Sequence, residues 1–362
     1  MVRVVTRTPQ RERFPITMTL KAGELYFIGE LDHRTQKTTP FVKIGIVKEH
    51  EVRDTSKRLK EHQTGNPRQI VELAVLATPN VERVETTMHG LYAPYGVGGE
   101  WFERSGDDLT ATIRHAGELV TTMRGAEAAL NEAERLVKVE SAGDPLTPDS
   151  TTLDQHRRLL EFKAVESAID QAGKAVRSAL AQAHSQGLAV DRFVSVQIKQ
   201  SAAAFDKERF EREHPEVYAQ FLADKQRMAQ RFNTVSDKGL DVSLQRLAPV
   251  VAALVGEIDA AVHSAGARDE SAASLHQHYL QLLVEQASVD LEIELLTAVL
   301  KATCGEFPGI AGVCTWKRQS KTETKLDESA LKREHSDLYA SYLAAKPPTT
   351  AIVVARNRGY AW

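Results

Sequence analysis

Residues 41–46, FVKIGI, decide how the front of this chain is read. Strand side chains alternate between faces, so Val42, Ile44 and Ile46 point one way and Phe41, Lys43 and Gly45 the other. The first set is ordinary core. The second sets an ammonium beside a glycine, on a face that something else can approach. A lysine on a strand usually lies on a solvated face, so its neighbours in sequence have to settle its meaning.

Working outward from this strand, ELYFIG precedes it and DTSKRLKEHQ comes after it as a helix. IVELAVLAT then reads as a strand, VERVETTMHGLYAPY as a helix and GEWFE as a short last strand. TGNP, between the first helix and the next strand, joins three turn formers. The pattern predicts an α+β N-terminal domain over 23–106, a small mixed or antiparallel three-stranded sheet flanked by helices. Residues 1–22 read as an arm.

Beyond 107 the chain becomes long, charged, alanine-rich helix, and SAGDPLTPDS (141–150) reads as a linker, so 107–150 is assigned to helix and linker. Residues 151–362 read as a mainly α-helical duplicated region. FDKERFEREHPEVYAQFLADK (205–225) matches LDESALKREHSDLYASYLAAK (326–346) at nine of 21 positions, including Asp206/Asp327, Arg212/Arg333, His214/His335 and Tyr218/Tyr339. The expected units are a first helical repeat over 151–235, connecting helices over 236–277 and a second helical repeat over 278–362. Two copies make a pseudo-symmetric pair, packed together or swapped across a homodimer.

Bulk properties narrow the class. The net charge is −3, but residues 1–105 hold 16 Lys and Arg against 13 Asp and Glu, while the remainder holds 30 against 36. A mildly basic front on an acidic body steers weakly towards phosphates. No apolar run reaches the roughly 20 residues of a membrane helix, and no signal-peptide core opens the chain. Two cysteines, Cys304 and Cys314, suit a reducing cytoplasm and exclude a disulfide framework. The expectation is a cytoplasmic protein without a membrane partner.

The front domain collects a set of groups suited to phosphate chemistry. Tyr26 is in the first strand, Lys43 in the second and Arg58 on the following helix, with Glu85 and His89 at i and i+4 on the next. If the first two strands pair antiparallel, Tyr26 and Lys43 share a sheet face. A single carboxylate such as Glu85 suits magnesium, which keeps positions for water and phosphate. A base candidate, two cations and one metal ligand are the parts of a phosphodiesterase.

These motifs resemble the GIY-YIG endonuclease superfamily in its phage-type branch. GELYFI (23–28) is similar to the first motif, VKIGI to the second with Lys43 at the usual tyrosine position, and KRLKEHQTGNP (57–67) to the arginine helix and its turn. VETTMHGLY with GGEWFE is similar to the closing signature. The resemblance implies Tyr26 as general base, or as the group that orients the attacking water, with Lys43 lowering its pKa, Arg58 on the scissile phosphate, and Glu85 holding Mg²⁺ or Mn²⁺. His89, Lys57 and Asn66 are the expected substrate contacts. The implied function is a metal-dependent DNA endonuclease in a phage, mobile-element or anti-phage setting, its helical region serving DNA positioning or dimerisation. The C-terminal repeats resemble, more faintly, the helical tail of lambda-exonuclease-type phage nucleases.

Each residue also has a plain structural reading. Tyr26 can be a core aromatic, Arg58 a solvated helix charge, Asn66 a turn former, and Glu85 with His89 a surface pair of ~0.3–0.5 kcal/mol. His214 and His335 each open a helix, where capping and packing explain them. The competing function is a non-cleaving nucleic-acid-binding or structural protein that keeps the nuclease fold.

Overall fold

The computed structural model describes residues 20–49, 54–188, 190–200, 202–264 and 269–359. Most of the expected N-terminal arm (1–22) therefore lies outside the described residues. The front domain runs β1 (Gly23–Leu31), β2 (Thr38–Lys48), α1 (Thr55–Gln63), β3 (Gln69–Thr78), α2 (Val81–Leu91), β4 (Gly96–Gly98), β5 (Trp101–Glu103), and then the long α3 (Gly106–Val137).

All pairings in this domain are antiparallel and the strand order is β3-β1-β2-β5-β4, so the sheet has five strands where three were expected. β5 is the short last strand read from GEWFE and β4 is new; they are three residues each and form a glycine-rich hairpin. Gly99, at φ +55°, supplies the left-handed turn that a side chain would disfavour. Leu25, Phe27, Val42 and Ile44 face α2 and α3 in one apolar cluster. Tyr26, Ile28 and Val47 face the other way, with Leu59 of α1 and Trp101 against them. The alternation read from FVKIGI is therefore the alternation in the sheet.

The rest of the chain is α4 (Ser150–Ser185), β6 (Val194–Lys199), β7 (Ala204–Phe205), α5 (Lys207–Glu213), α6 (Pro215–Gln220), β8 (Leu222–Thr234), α7 (Leu244–Leu247), α8 (Pro249–Ser264), α9 (Asp269–Cys304), β9 (Gly309–Ile310), β10 (Cys314–Leu326), α10 (Glu328–Glu334), α11 (Ser336–Ser341), β11 (Leu343–Ala344) and β12 (Thr349–Val354). The duplication extends to geometry. α4 and α9 are 36 residues each, and Asp206 and Asp327 cap α5 and α10 at the same backbone angles. Each capping carboxylate accepts a backbone N–H, from Arg209 and from Ala330. His214 and His335 sit between paired short helices without a side-chain capping bond, their rings packed against Phe210 and Tyr342 and against Phe221.

The two copies are intertwined through exchanged strands within one chain. β6 of the first copy pairs with β12 of the second, and β10 pairs with β8. One register runs throughout: Val194 faces Val354, Phe205 faces Leu343, Leu222 faces Leu326 and Thr234 faces Cys314. The result is an arm of two ribbons joined through a tip with its own core of Phe210, Tyr218, Leu326, Leu331 and Tyr342. Residues 222–225, inside the first repeat motif, begin a strand, and α9 runs unbroken through position 278, where the second repeat was set to begin. The stretch 141–149, read as a linker, is held against the second copy by backbone bonds from Ser141 to Arg318 and Leu146 to Gly309.

α9 also carries the front domain. Leu291 and Ala298 enter its core, and a Cβ on Gly90 would meet Ala287, so α2 and α9 approach closely. Arg83 of α2 ion-pairs with Glu294. After β12 the chain returns to the sheet, where Arg358 N–H donates to the Gly96 carbonyl at 2.9 Å.

Candidate active site

In the β1/β2 register Tyr26 stands opposite Gly45, and Lys43 stands opposite Ile28. Tyr26 and Lys43 are therefore diagonal neighbours on one face, as the alternation predicts. The purpose of Gly45 differs from the expectation. A Cβ there would run into the Tyr26 ring and hydroxyl, so the glycine's open space is filled by that tyrosine.

The Tyr26 hydroxyl lies 3.2 Å from His62 Nε2 on α1, one turn beyond Arg58. Burial pushes the Tyr26 phenol up to about 12, with Arg58 pulling the other way and Glu100, Glu85 and Glu61 adding to the rise. This environment disfavours a phenolate at neutral pH. The cation that favours its ionised form is chiefly Arg58. Lys43, only 9 % exposed, is instead ion-paired to Glu100. Burial holds the His62 imidazole below its ordinary range, and Lys43 and Arg58 add to that effect. A neutral imidazole beside a protonated phenol is the resting state of this pair.

Glu85 and His89 come from α2, which covers the opposite face of the sheet. β5 pairs with β2 at Phe41, Val42 and Lys43, and just beyond them the Ile44 N–H donates to the Glu100 carbonyl at 3.1 Å. There His89 Nε2–H donates to the Ile44 carbonyl at 3.0 Å, while its ring lies 5.3 Å from that of Phe102. Burial holds His89 neutral, and Arg356, from the segment after β12, is near enough to contribute. Burial pushes the Glu85 carboxyl up to about 7, and the Glu100 carboxylate adds to the rise while Lys43 opposes it. Burial is the largest influence on Glu100 and acts against its anion, but the Lys43 hydrogen bond together with the charges of Lys43, His89 and His62 outweighs it and holds this carboxyl low.

Tyr26, Lys43, Arg58 and Glu85 thus act on one another electrostatically, with His62 and Glu100 among them. Neither of the latter two was among the residues singled out from sequence. Each stood inside a quoted motif, His62 four residues after Arg58 and Glu100 in GGEWFE. The i, i+4 spacing of Arg58 and His62 on one helix face was the available signal. Arg58 also ion-pairs with Glu61 at 3.0 Å.

Two expected substrate contacts are not brought to this cluster. Asn66 donates to Glu30 at 2.7 Å and accepts the Arg68 N–H at 2.9 Å, so it ties the TGNP turn to β1. Lys57 stands exposed on α1, its backbone N–H bonded to the capping Asp54. A cleft of about 690 Å³ opens elsewhere on the domain, lined by Gly23, Lys48, Asp54 and Thr78, and none of the clustered residues lines it.

Comparison with known proteins agrees with this geometry at a coarse level. The family model described as the T5orf172 domain matches residues 24–117, about a quarter of the chain. That family is phage-associated and nuclease-like, consistent with a nucleic-acid-related function for the front domain. No curated protein and no solved structure matches the chain. Among the described residues, no helix is long and apolar enough to cross a membrane.

Proposed function

We propose that the chain is a metal-dependent DNA endonuclease of the GIY-YIG type, hydrolysing phosphodiester bonds at the Tyr26–Arg58–Glu85 cluster. The observation that carries this reading is the company Glu85 keeps. It is a half-buried carboxyl beside a second carboxylate, Glu100, and the charges of both act on the buried Tyr26 phenol that is bonded to His62.

The donor set fits a magnesium-like ion. Burial and Glu100 both disfavour the Glu85 anion, and a divalent cation would relieve both. Among the described residues, no group of three or more His, Cys, Asp and Glu side chains is arranged to hold a metal. A site with one or two carboxylates is how magnesium is commonly held, with water and substrate phosphate as its other ligands. Glu85 would hold the ion, with Glu100 beside it, and the ion would neutralise charge on the phosphate and leaving oxygen.

The chain's own residues divide the remaining work. Arg58 binds the non-bridging phosphate oxygens and stabilises their growing charge. The Tyr26 hydroxyl accepts a proton from the attacking water as it passes its own to His62 Nε2, so the phenol relays a proton and does not need to be a phenolate. Lys43 keeps Glu100 ionised, and His89 fixes α2 to the β2 edge. The test is cleavage of duplex DNA with Mg²⁺ or Mn²⁺ by wild type and by His62→Ala. A loss of about 10²-fold or more supports the relay. Unchanged cutting by the variant removes His62 from the reaction.

A further inference from the structure

The two ribbons of the arm share one architecture and differ in the chemistry of one face. On β8/β10 the odd-numbered positions alternate to the same side. Facing pairs there are Lys317 with Arg231, Lys321 with Arg227 and Glu323 with Lys225, and Lys325 comes next, opposite Ala223. All six cations are exposed. Within these two strands, Glu323 is the one carboxylate on that side, ion-paired to Arg227 and to Lys325 (2.7 Å). In the β6/β12 ribbon the duplicated positions of Lys317 and Arg231 are Val196 and Ile352, which again face each other. The apolar face runs from buried Val194 and Val354 out to Ile198.

Like charges directly opposite on an antiparallel pair destabilise it. The Lys317–Arg231 and Lys321–Arg227 pairs therefore work against the ribbon they sit in, and the fold does not require them, since its sister ribbon pairs without them. β9 joins β10 only at Cys314 and Thr315, and Pro308, Ser141 and Glu140 bond the same edge as far as Ser320, so from Lys321 outward the ribbon stands as two strands. From Lys317 to Lys325 it extends about 27 Å, the rise of roughly eight base pairs.

We propose that the odd-numbered face of β8/β10 is a docking surface for duplex DNA, laid into the major groove with its cations on the flanking phosphates. This rests on the nuclease reading for its biological sense, while its physical basis is independent of the catalytic cluster. Two considerations select the partner. A polyanion offsets the cross-strand repulsion and gains counterion release in binding. The B-form major groove, about 12 Å wide, admits a two-stranded ribbon, whereas the A-form groove of duplex RNA is too deep and narrow. The surface reads phosphate position; its short Thr315, Gln319 and Asn233 side chains give it modest capacity for base readout.

The test is equilibrium binding of the full chain to a 20-base-pair DNA duplex in EDTA, where cleavage does not occur. Lys317→Gln/Arg231→Gln/Lys321→Gln is compared with wild type and with Lys199→Gln on the sister ribbon. The triple variant is expected to bind at least tenfold more weakly at physiological salt. Its log K against log salt slope should fall by about 2 to 3, one unit per lost contact. Thermal unfolding should be unchanged or raised, which separates lost binding from lost fold. Equal affinity and slope in the triple variant overturn the proposal. So does wild type that prefers duplex RNA, or that binds polyglutamate as tightly as DNA. Ribbon-dependent binding by a wild type that never cuts leaves this surface standing and removes the nuclease reading; cutting by a triple variant with unchanged affinity does the reverse.

Discussion

The β1/β2 face and the β8/β10 ribbon both gather cations, and they do so under opposite conditions. Around Tyr26 the charges are of both signs, partly buried and close together, so burial and neighbours move Tyr26, His62 and Glu85 away from their ordinary titration. On the ribbon they are nearly of one sign and stand in water. Buried mixed charge holds protons and ions in unusual states, which chemistry requires. Exposed charge of one sign raises the local concentration of a polyanion and does little else. In the proposed reading, turnover belongs to the front domain and grip to the arm.

Substitutions that separate turnover from grip test that division most strongly. Glu85→Ala or Arg58→Ala is expected to lower cleavage by about 10³-fold, in the range for lost transition-state stabilisation. DNA affinity in EDTA should stay within about twofold. A parallel loss of affinity, measured by fluorescence anisotropy, would merge the two regions into one binding surface.

A smaller effect is expected at Lys43. Lys43→Met keeps the length of the side chain and removes the partner of Glu100 and the cation that opposes the rise in Glu85. Cleavage at pH 7 should drop several-fold, on the order of a one-unit shift, and recover as pH is raised. A pH–rate profile with the wild-type midpoint would show that Lys43 acts elsewhere.

Stability against pH gives the next test. The Glu85 carboxyl is raised in the folded state to about 7 from its ordinary 4.5, so the folded chain holds a proton that the unfolded chain has released between these values. Metal-free protein should therefore lose stability as pH climbs through that window, the contribution being complete below about 4.5 and gone above about 7. Glu85→Gln should flatten this slope and stabilise the metal-free protein at pH 8 by about 1 kcal/mol, allowing for screening of a half-buried group. Urea melts at pH 5, 6, 7 and 8 would read it. Gly45→Ala should destabilise by ~1–3 kcal/mol at every pH, because its Cβ meets the Tyr26 ring.

How much of this was legible in sequence differs between the same two regions. In the front domain the period-two alternation of FVKIGI was local information, and it placed Lys43 on the face of Tyr26. What it could not supply was the partner, since GEWFE read as a strand brings Glu100 to Lys43 only once its register against β2 is known. Glu100 holds the ammonium, and burial then dominates the phenol.

The arm was harder to read. The stretch VYAQFLADKQRMAQRF lacks Gly and Pro and has good helix formers, so its propensity runs against the strand that Leu222 begins. The pairing of Leu222 with Leu326 is made across more than a hundred residues, and tertiary context overrides local preference. With β8 read as helix, Lys225, Arg227 and Arg231 share no face with Lys317, Lys321 and Lys325. The basic surface becomes visible only when the register is known.

The most direct measurement is incubation of supercoiled plasmid DNA with the purified full chain in Mg²⁺ and, separately, in EDTA. The account predicts nicked or linear product with the metal and intact plasmid without it. Plasmid left intact in both, by folded protein that binds it, would contradict the account and leave a DNA-binding protein with a nuclease-like front.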